Sequence, residues 1–222
     1  MIRGQATHLM QVLAVDPASQ DVPRQAVRTL LEGGLVVFPT DTYYALGAAA
    51  GNAEAVARVF AAKGRSATDP LPVLVAGVDQ WRMAAAEIPD LALRLAERFW
   101  PGPLTIVCRR APYLPPLLTG GGDTIGVRQP AVPLAQALCR ALGMPITGTS
   151  ANSHDSPPPV TAIEVGMDLG GKVGLILDGG ACAGGHPSTV IDVTRTPPVI
   201  VRPGAVTAEA LRAVAGTVLE PA

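Results

Sequence analysis

Two short segments contain the residues best suited to bind an anion. The first is Lys63-Gly64-Arg65, and the second is Ser150-Ala151-Asn152, far downstream. The chain has only two lysines, Lys63 and Lys172, whereas arginine supplies the other fifteen positive charges. In an extended backbone, residues i and i+2 point to the same side, so the two cations of the first segment are predicted to converge on one anion. Lysine offers a point charge and arginine a planar fork, and together they suit a phosphate.

Further hydroxyl and guanidinium side chains occur where predicted strands end. Taken alone, Lys63 and Arg65 are better explained as the basic C-terminus of a helix. The additional segments change that interpretation, because strand ends are where α/β folds place ligand sites. These segments are Pro39-Thr40-Asp41-Thr42, Thr124–Arg128, Pro187–Asp192 and Val201–Gly204. Together they form a polar, cationic set without a nucleophile–base–acid triad, which suits binding of a polyanion and a small zwitterion.

Three signatures of nucleotide-binding or hydrolytic proteins are approached without being matched. Residues 166–173 have the glycine and lysine spacing of a P-loop but lack the Ser or Thr that binds magnesium. Residues 148–152 resemble the G-x-S-x-G nucleophile elbow but end in asparagine, and Asp178 and His186 follow in the hydrolase order. No G-x-G-x-x-G occurs, so a dinucleotide-binding fold is unsupported. A serine hydrolase that uses Ser150 is a minor alternative.

Composition favours a folded, cytoplasmic protein. The chain has 222 residues, 48% hydrophobic and 16% charged, which is typical of a globular protein with a sizeable core. Its net charge of −1 gives no electrostatic footprint for tight binding along a nucleic acid. The three cysteines are isolated, so neither a disulfide framework nor a zinc site is predicted. Residues 1–11 lack the pattern of a signal peptide, and no apolar run is long enough to span a membrane.

The order of helical and strand patterns predicts a single α/β domain over residues 1–222. Leu35–Phe38 is a short apolar run, typical of a strand buried on both faces, and Asn52 is suited to cap a helix that ends at Ala62. Further strands are predicted at 73–76, 104–108, 124–128, 146–147, 173–177, 189–193 and 199–201, and further helices at 23–31, 78–86, 90–99, 132–142 and 207–215. We therefore expect a twisted, mixed, mostly buried sheet flanked by helices.

Six motifs follow one another in a fixed order along this chain. They are Phe38–Gly47, Lys63-x-Arg65, Trp100–Thr105, Gly126-Val-Arg128-x-Pro130, Ser150-x-Asn152 and Arg202-Pro-Gly204. In this order they resemble the YrdC-like family, the L-threonylcarbamoyladenylate synthases, from about Gly33 to Gly204. Six ordered matches are much more specific than any one of them. The resemblance implies the YrdC-like fold and a family member of the short, single-domain kind.

The resemblance also implies a reaction and a set of site residues. The reaction is synthesis of L-threonylcarbamoyladenylate from L-threonine, bicarbonate and ATP, with release of pyrophosphate. Downstream threonylcarbamoyl-transferase proteins then move the group to an adenosine beside the anticodon of certain tRNAs. By similarity, Thr42, Arg128 and Ser188 bind threonine. ATP is bound by Lys63, Arg65, Asp69, Thr124, Ser150, Asn152 and Arg202, of which Lys63 and Arg65 are the catalytic pair.

The residues themselves agree with that chemistry. A carbamate formed from an amine and bicarbonate attacks the α-phosphate, which requires positioning and neutralisation of phosphate charge more than covalent catalysis. Mg²⁺ is expected on the phosphates themselves, because the sequence offers no dedicated carboxylate cage and no protein metal ligands are predicted. The loops at 111–122 and 148–159 are candidate covers that exclude water.

Two positions depart from the family pattern, and one other function class remains open. Asp69 stands where family members often have asparagine, and its carboxylate repels phosphate unless magnesium or a base edge is its partner. Leu74 stands where many members have histidine, which removes one contact with threonine. The other class is a module that grips double-stranded RNA or tRNA without catalysis. The net charge argues against tight binding of this kind and leaves only weak tRNA contact open.

Overall fold

Residues 10–221 are described by a computed structural model, which contains eleven strands and seven α-helices. The strands are β1 (Gln11–Ala14), β2 (Val36–Phe38), β3 (Ala45–Gly47), β4 (Val73–Leu74), β5 (Leu104–Arg109), β6 (Thr124–Arg128), β7 (Ile146–Thr147), β8 (Thr149–Ser150), β9 (Leu175–Asp178), β10 (Thr189–Asp192) and β11 (Val199–Arg202). The helices are α1 (Arg24–Leu31), α2 (Ala53–Lys63), α3 (Val78–Ala84), α4 (Asp90–Phe99), α5 (Pro133–Leu142), α6 (Ala162–Leu169) and α7 (Ala208–Ala215), with a 3₁₀ helix at Pro116–Thr119. The first nine residues, to which the signal-peptide interpretation mainly applied, lie outside the described part.

The strands form two mixed sheets. The five-stranded sheet has the order β1-β9-β2-β3-β8, and the six-stranded sheet has the order β11-β10-β5-β6-β4-β7. In the second sheet β5 pairs in parallel with β10 and antiparallel with β6, so both edges of β5 are hydrogen-bonded. The strands β4 and β7 are only two residues long, and the chain between them forms three α-helices and the strands β5 and β6.

The six-stranded sheet has one apolar face and one largely polar face. Val127 lies opposite Ile106, which lies opposite Ile191. All three are buried in one hydrophobic cluster with residues of α2, α4 and α6. Because side chains alternate between the faces of a strand, their neighbours Thr105 and Arg128 project from the other face. We call this second surface the polar face.

Local signals in the sequence explain the helix that leads to the polar face. Asn52 caps α2, its side chain accepting hydrogen bonds from Glu54 N and Ala55 N, both at 3.1 Å. The helix ends at Gly64, which is left-handed with φ of 63°, a conformation that glycine adopts without steric cost. Lys63 is therefore the last helical residue.

The predicted fold class is confirmed, and most predicted elements occur near their predicted bounds. The helix capped by Asn52 and the strand Thr124–Arg128 are both present. A single sheet was predicted, but the structure has two. The short strands β3 and β8 belong to the first sheet, and β7 is the edge strand of the second. Within residues 10–221, no helix is both long enough and apolar enough to cross a membrane.

Three strands and one α-helix were not predicted, nor was the 3₁₀ helix at Pro116–Thr119, and the α-helix had a readable signal. Strands β1, β3 and β8 are short and lack β-branched runs, so their sequences give little indication of strand structure. Helix α6 begins with a capping box, in which Thr161 accepts from Glu164 N and the Glu164 carboxylate accepts from Thr161 N. The threonine and glutamate at that spacing would have located the helix.

The buried hydroxyl of Tyr44, the residue before β3, is hydrogen-bonded to the segment after β9. We predict that Tyr44→Phe lowers the free energy of unfolding by about 1–3 kcal/mol. The hydroxyl donates to Gly180 O at 2.7 Å and accepts from Gly179 N at 3.1 Å, so its removal leaves two backbone groups without a partner. Chemical denaturation measures the effect. Tyr43→Phe is the matched control, because Tyr43 is half-buried and its hydroxyl has no hydrogen bond to a described residue. Equal stability of the two variants would contradict the prediction.

Candidate active site

The polar face carries most of the predicted site residues. Arg202 lies opposite Val190, which lies opposite Thr105 on the next strand, so their side chains share one face. Leu74 lies opposite Arg128 and extends that face across β4. The loop after β2, the C-terminus of α2 and the segment after β8 border it. These elements bring guanidinium and hydroxyl groups together from five separate parts of the chain.

Lys63 is buried, and its ammonium is fully hydrogen-bonded to the segment after β8. Nζ donates to Ser150 O and Asn152 O, both at 2.6 Å, and to Asn152 Oδ1 at 3.2 Å. The Lys63 carbonyl in turn accepts from His154 N at 2.7 Å. An ammonium has three donors, so all of them are used by protein oxygens. Lys63 therefore fastens residues 150–154, while its direct contact with a phosphate stays a prediction.

The surroundings of Lys63 lower the pKa of its ammonium group. The pKa of Lys63 is lowered from 10.5 to about 8, mainly by burial, since only 3% of the residue is exposed to solvent. The positive charge of Arg65 contributes to this lowering, whereas the carboxylate of Asp168 acts in the opposite direction. Its charge is therefore sensitive to the ligands and ions around it.

Arg65 reaches the site by a different route from the one predicted. Because Lys63 is helical and Gly64 is left-handed, the extended backbone expected between Lys63 and Arg65 is wrong, while their action on one anion stays a prediction. The Arg65 guanidinium instead lies over the turn that follows, donating to Pro70 O at 3.2 Å and to Thr149 Oγ1 at 3.5 Å. Its Nε is 3.7 Å from Asp69 Oδ2. Asp69 is thus partly neutralised by Arg65.

Arg128 is almost fully buried at the end of β6 and is held from three sides. Nε donates to Gly102 O at 3.0 Å, and Nη1 donates to Thr42 Oγ1 at 3.1 Å. Nη2 lies 2.7 Å from Asp41 Oδ1, an ion pair without hydrogen-bond alignment. Asp41 is itself fixed, because its Oδ1 accepts from Ala131 N at 2.9 Å. The guanidinium is thus oriented before any ligand binds.

Ser188 is held between Thr105 and Arg202. Its Oγ lies 2.9 Å from Thr105 Oγ1, and Arg202 Nη2 donates to Ser188 O at 2.8 Å and to Ser188 Oγ at 3.0 Å. Arg202 can lie this close because the backbone that follows it turns tightly against the Ser188 segment. A Cβ at Gly204 would lie 2.3 Å from Pro187 O, so only glycine fits there.

Three guanidinium groups converge at this place and repel one another. Burial lowers the pKa of Arg202, and the charges of Arg128 and Arg65 lower it further. The two carboxylates among these side chains, Asp41 and Asp69, are already close to Arg128 and Arg65. The cluster of Arg65, Arg128 and Arg202, which we call the arginine cluster, therefore has excess positive charge. An anion with several charges is the ligand that this arrangement favours.

Ser150, Asn152 and Thr124 occupy different positions relative to that cluster. The Asn152 side chain is used within its own loop, accepting from Lys63 and donating to Ser156 O. The Ser150 hydroxyl has no hydrogen bond to a described residue, so it remains available to a ligand. Thr124 lies at the opposite end of β6 from Arg128, roughly 13 Å away at the usual rise per residue. It shares no hydrogen bond with the other candidates in residues 10–221.

The alternatives from the sequence lack structural support. In the described part of the chain, no hydrogen bond joins Ser150 to His186 or His186 to Asp178. Asp178 Oδ1 instead accepts from Gly180 N at 3.0 Å and lies 3.3 Å from the Tyr44 hydroxyl. The P-loop-like segment begins within α6, so its first glycine is helical and cannot form a phosphate-binding loop. The serine hydrolase and the P-loop are both unsupported.

Four further residues contribute to the site and were missing from the predicted set. Asp41, Thr40, Thr105 and Thr149 contact Arg128, Thr42, Ser188 and Arg65 respectively. Thr40 and Asp41 lie in a segment already singled out, so their proximity to Thr42 was a usable signal. Thr105 and Thr149 contact residues more than 80 positions away, which the sequence pattern does not indicate.

No group of three or more metal-ligating side chains occurs in residues 10–221 that could hold a metal ion. The two acidic residues of the site each lie beside an arginine, so their carboxylates are poorly placed to form a cage. The residues therefore fit Mg²⁺ that arrives on the phosphates of a nucleotide better than a resident ion.

We predict that the buried Lys63 makes stability rise with pH between about 8 and 10.5. The pKa is lower in the folded state, so the unfolded chain binds more protons in this range and loses its advantage as pH increases. Relative to Lys63→Met, the wild-type free energy of unfolding should increase by about 1–3 kcal/mol across that range. Denaturation at several pH values measures it. Parallel curves for the two proteins would contradict the prediction.

We also predict that pyrophosphate stabilises the protein through the arginine cluster. At a concentration near 100 times its Kd, a ligand adds about 2.7 kcal/mol to the free energy of unfolding. Arg202→Gln should remove most of the increase in Tm, because the charges of Arg128 and Arg65 act on Arg202 and an anion relieves that repulsion. Arg94→Gln is the control, since Arg94 is exposed on α4. The same pyrophosphate-induced increase in both variants would place the anion elsewhere.

Comparison with known proteins now gives the family. Residues 28–204 match the family Sua5_yciO_yrdC, described as telomere recombination. A Pyrococcus abyssi protein named threonylcarbamoyl-AMP synthase is 45% identical over 195 residues, which cover 88% of this chain and 57% of the relative. A Bacillus subtilis protein of the same name is 42% identical over 195 residues, covering 87% of this chain and 56% of the relative. The chain thus spans just over half the length of these relatives.

The fold matches a solved structure equally well. The crystal structure of P. abyssi Sua5 complexed with L-threonine superposes with a TM-score of 0.90 at 41% identity, covering 96% of this chain and 63% of the other. Residues 28–204, which match the family model, contain the loop after β2, the end of α2 and the polar face. The predicted resemblance is confirmed, and the chain belongs to the Sua5/YciO/YrdC family.

Proposed function

We propose that the protein synthesises L-threonylcarbamoyl-AMP from L-threonine, bicarbonate and ATP. The observation that carries this proposal is the arginine cluster, which has excess positive charge beside a set of buried hydroxyls. A polyanion and a small zwitterion are the ligands that such a site favours. The names of the relatives support the same reaction. Because the chain spans only part of them, the activity is proposed for this chain on its own residues.

Arg128 and its neighbours are proposed to hold the amino acid. A guanidinium at the end of a strand suits a bidentate pair with a free α-carboxylate. Thr42 and Ser188 lie at hydrogen-bond distance from Arg128 and Arg202 respectively, so both hydroxyls reach the same ligand region. Leu74, whose side chain packs against Gly148, makes the wall beside Arg128 apolar.

Arg65, Arg202 and the Ser150 hydroxyl are proposed to surround the nucleotide phosphates. In the reaction, the threonine amine attacks the carbon of bicarbonate, and the carbamate that forms after loss of water attacks the α-phosphorus. The bond between the α-phosphorus and the oxygen that bridges to the β-phosphate breaks, and pyrophosphate leaves with the electron pair of that bond. The two arginines stabilise negative charge on the phosphates in this step. Lys63 adds its charge from behind the loop that it fastens.

The remaining proposed ligands lie further from Arg128. Thr124 and Asp69 are proposed to contact the nucleotide, with Asp69 kept near phosphate by the adjacent Arg65. Asn152 acts by shaping the loop around Ser150. Mg²⁺ is proposed to enter as part of MgATP, where it screens phosphate charge. We further propose a cytoplasmic location, delivery of the product to separate threonylcarbamoyl-transferase proteins, and at most weak contact with tRNA.

We predict that release of pyrophosphate from MgATP requires both L-threonine and bicarbonate. Neither cosubstrate alone gives a carbamate that can attack the phosphorus. A coupled pyrophosphate assay with each component omitted in turn measures this requirement. Hydrolysis of ATP to ADP and phosphate at the same rate without threonine would overturn the proposed reaction.

A second prediction separates the amino-acid site from the nucleotide site. Arg128→Ala should weaken L-threonine binding by roughly 2–5 kcal/mol, because a buried charge pair is lost, while the affinity for ATP changes little. Calorimetric titration of each ligand measures both. Arg110→Ala is a suitable comparison, because Arg110 hydrogen-bonds only carbonyls of its own loop among the described residues. Loss of ATP binding with threonine binding intact would show that the two sites are reversed.

A further inference from the structure

Two pairs of buried hydroxyls lie at the proposed amino-acid site, and each pair includes one residue outside the predicted set. The first pair is Thr105 and Ser188, with oxygens 2.9 Å apart, and the second is Thr40 and Thr42, with oxygens 3.2 Å apart. All four residues are at most 6% exposed. A hydroxyl has one proton and two lone pairs, so the partners of each oxygen decide what it offers to a ligand.

The Thr40–Thr42 pair can be assigned from its other contacts. Thr40 Oγ1 donates to Tyr43 O at 2.6 Å, so its only proton is used. Thr42 must then be the donor in the contact between the two threonines. Thr42 Oγ1 also accepts from Arg128 Nη1 at 3.1 Å, which occupies one lone pair. What remains on Thr42 is a single lone pair, so it can only accept a hydrogen bond from a ligand.

In the Thr105–Ser188 pair, the hydroxyl at the border of the site is instead left as a hydrogen-bond donor. Ser188 Oγ already accepts from Arg202 Nη2, and Thr105 has no other side-chain partner among the described residues. Thr105 is only 2% exposed and has no second hydrogen-bond acceptor among the described residues, so a proton not donated to Ser188 would be buried without a partner. Ser188 lies one residue before β10, at the border of the site. With Thr105 donating, Ser188 accepts two hydrogen bonds and keeps its proton for a ligand.

We infer that Thr105 and Thr40 are positioning residues that give the two ligand-facing hydroxyls opposite polarities, Ser188 as a donor and Thr42 as an acceptor. This inference rests on the proposed function. It assigns Ser188, together with Arg128, to the α-carboxylate of the amino acid. It assigns Thr42 to an N–H of the α-amine, which leaves the nitrogen lone pair free to attack. The amino acid is thus oriented by two residues that do not contact it.

The test compares two variants against ligands that lack one group each. L-Threonine is titrated alongside L-threoninol, which lacks the carboxylate, and (R)-3-hydroxybutyrate, which lacks the amine. Thr105→Val should weaken L-threonine and (R)-3-hydroxybutyrate on the order of tenfold, because Ser188 loses the partner that fixes the direction of its proton, and L-threoninol less than twofold. Thr40→Val should weaken L-threonine and L-threoninol to a similar degree and spare (R)-3-hydroxybutyrate. NMR titration reaches the affinities expected of such small ligands.

Conservative variants and the pattern of loss separate this role from general damage. Thr105→Ser and Thr40→Ser keep the hydroxyl and should restore wild-type affinity within about twofold. Equal weakening of all three ligands by Thr105→Val, or no weakening at all, would overturn the inference while leaving the proposed function intact. If Thr105→Val does not fold, the Thr40→Val arm and both serine variants decide the question in the same way. Failure of the wild-type protein to bind L-threonine would instead overturn the proposed function, and the inference with it.

Discussion

A lysine ammonium buried against two backbone carbonyls connects the end of α2 to the segment after β8. Through this contact, Lys63 sets the position of Ser150, whose hydroxyl is left for a ligand, and of Asn152, whose side chain closes the loop on itself. Removing an ammonium from water is costly, and only well-aligned oxygens compensate for it. The contact therefore depends on α2 ending at Lys63. The left-handed Gly64 then directs Arg65 across the site.

The arrangement of charge around this contact explains why the site suits a polyanion. Arg128 is oriented by Asp41, Thr42 and a backbone carbonyl, whereas Arg202 is oriented by Ser188 alone among the described side chains. The first is a rigid group for a small ligand, and the second is a partly exposed group whose charge is less well balanced. A site with this asymmetry is suited to hold one small ligand in a fixed orientation and to attract a polyanion electrostatically.

Short-range patterns in the sequence were sufficient to predict the fold class and several elements. The Asn52 cap, the Val36–Phe38 run and the strand before Arg128 each depend on residues a few positions apart. The role of Lys63 does not, because its partners lie 87 and 89 positions away and are mainly backbone oxygens, which any residue type supplies. For the same reason the sequence indicated which side chains gather around the arginine cluster better than which side chains orient them. Asp41 and Thr105 are of the second kind.

The close approach of Gly204 to the backbone at Pro187 and Ser188 has a consequence for how this part of the chain can change over time. Arg202 and Ser188 meet only because their two backbone segments are in van der Waals contact at that glycine. A substitution in one segment is therefore tolerated only with a matching change in the other, so residues of the two segments are expected to co-vary in evolution. In the connection between β10 and β11, by contrast, Arg195 and Thr196 are exposed to solvent and are under no such constraint. Insertions and new surface chemistry can accumulate there while the base of the hairpin stays fixed.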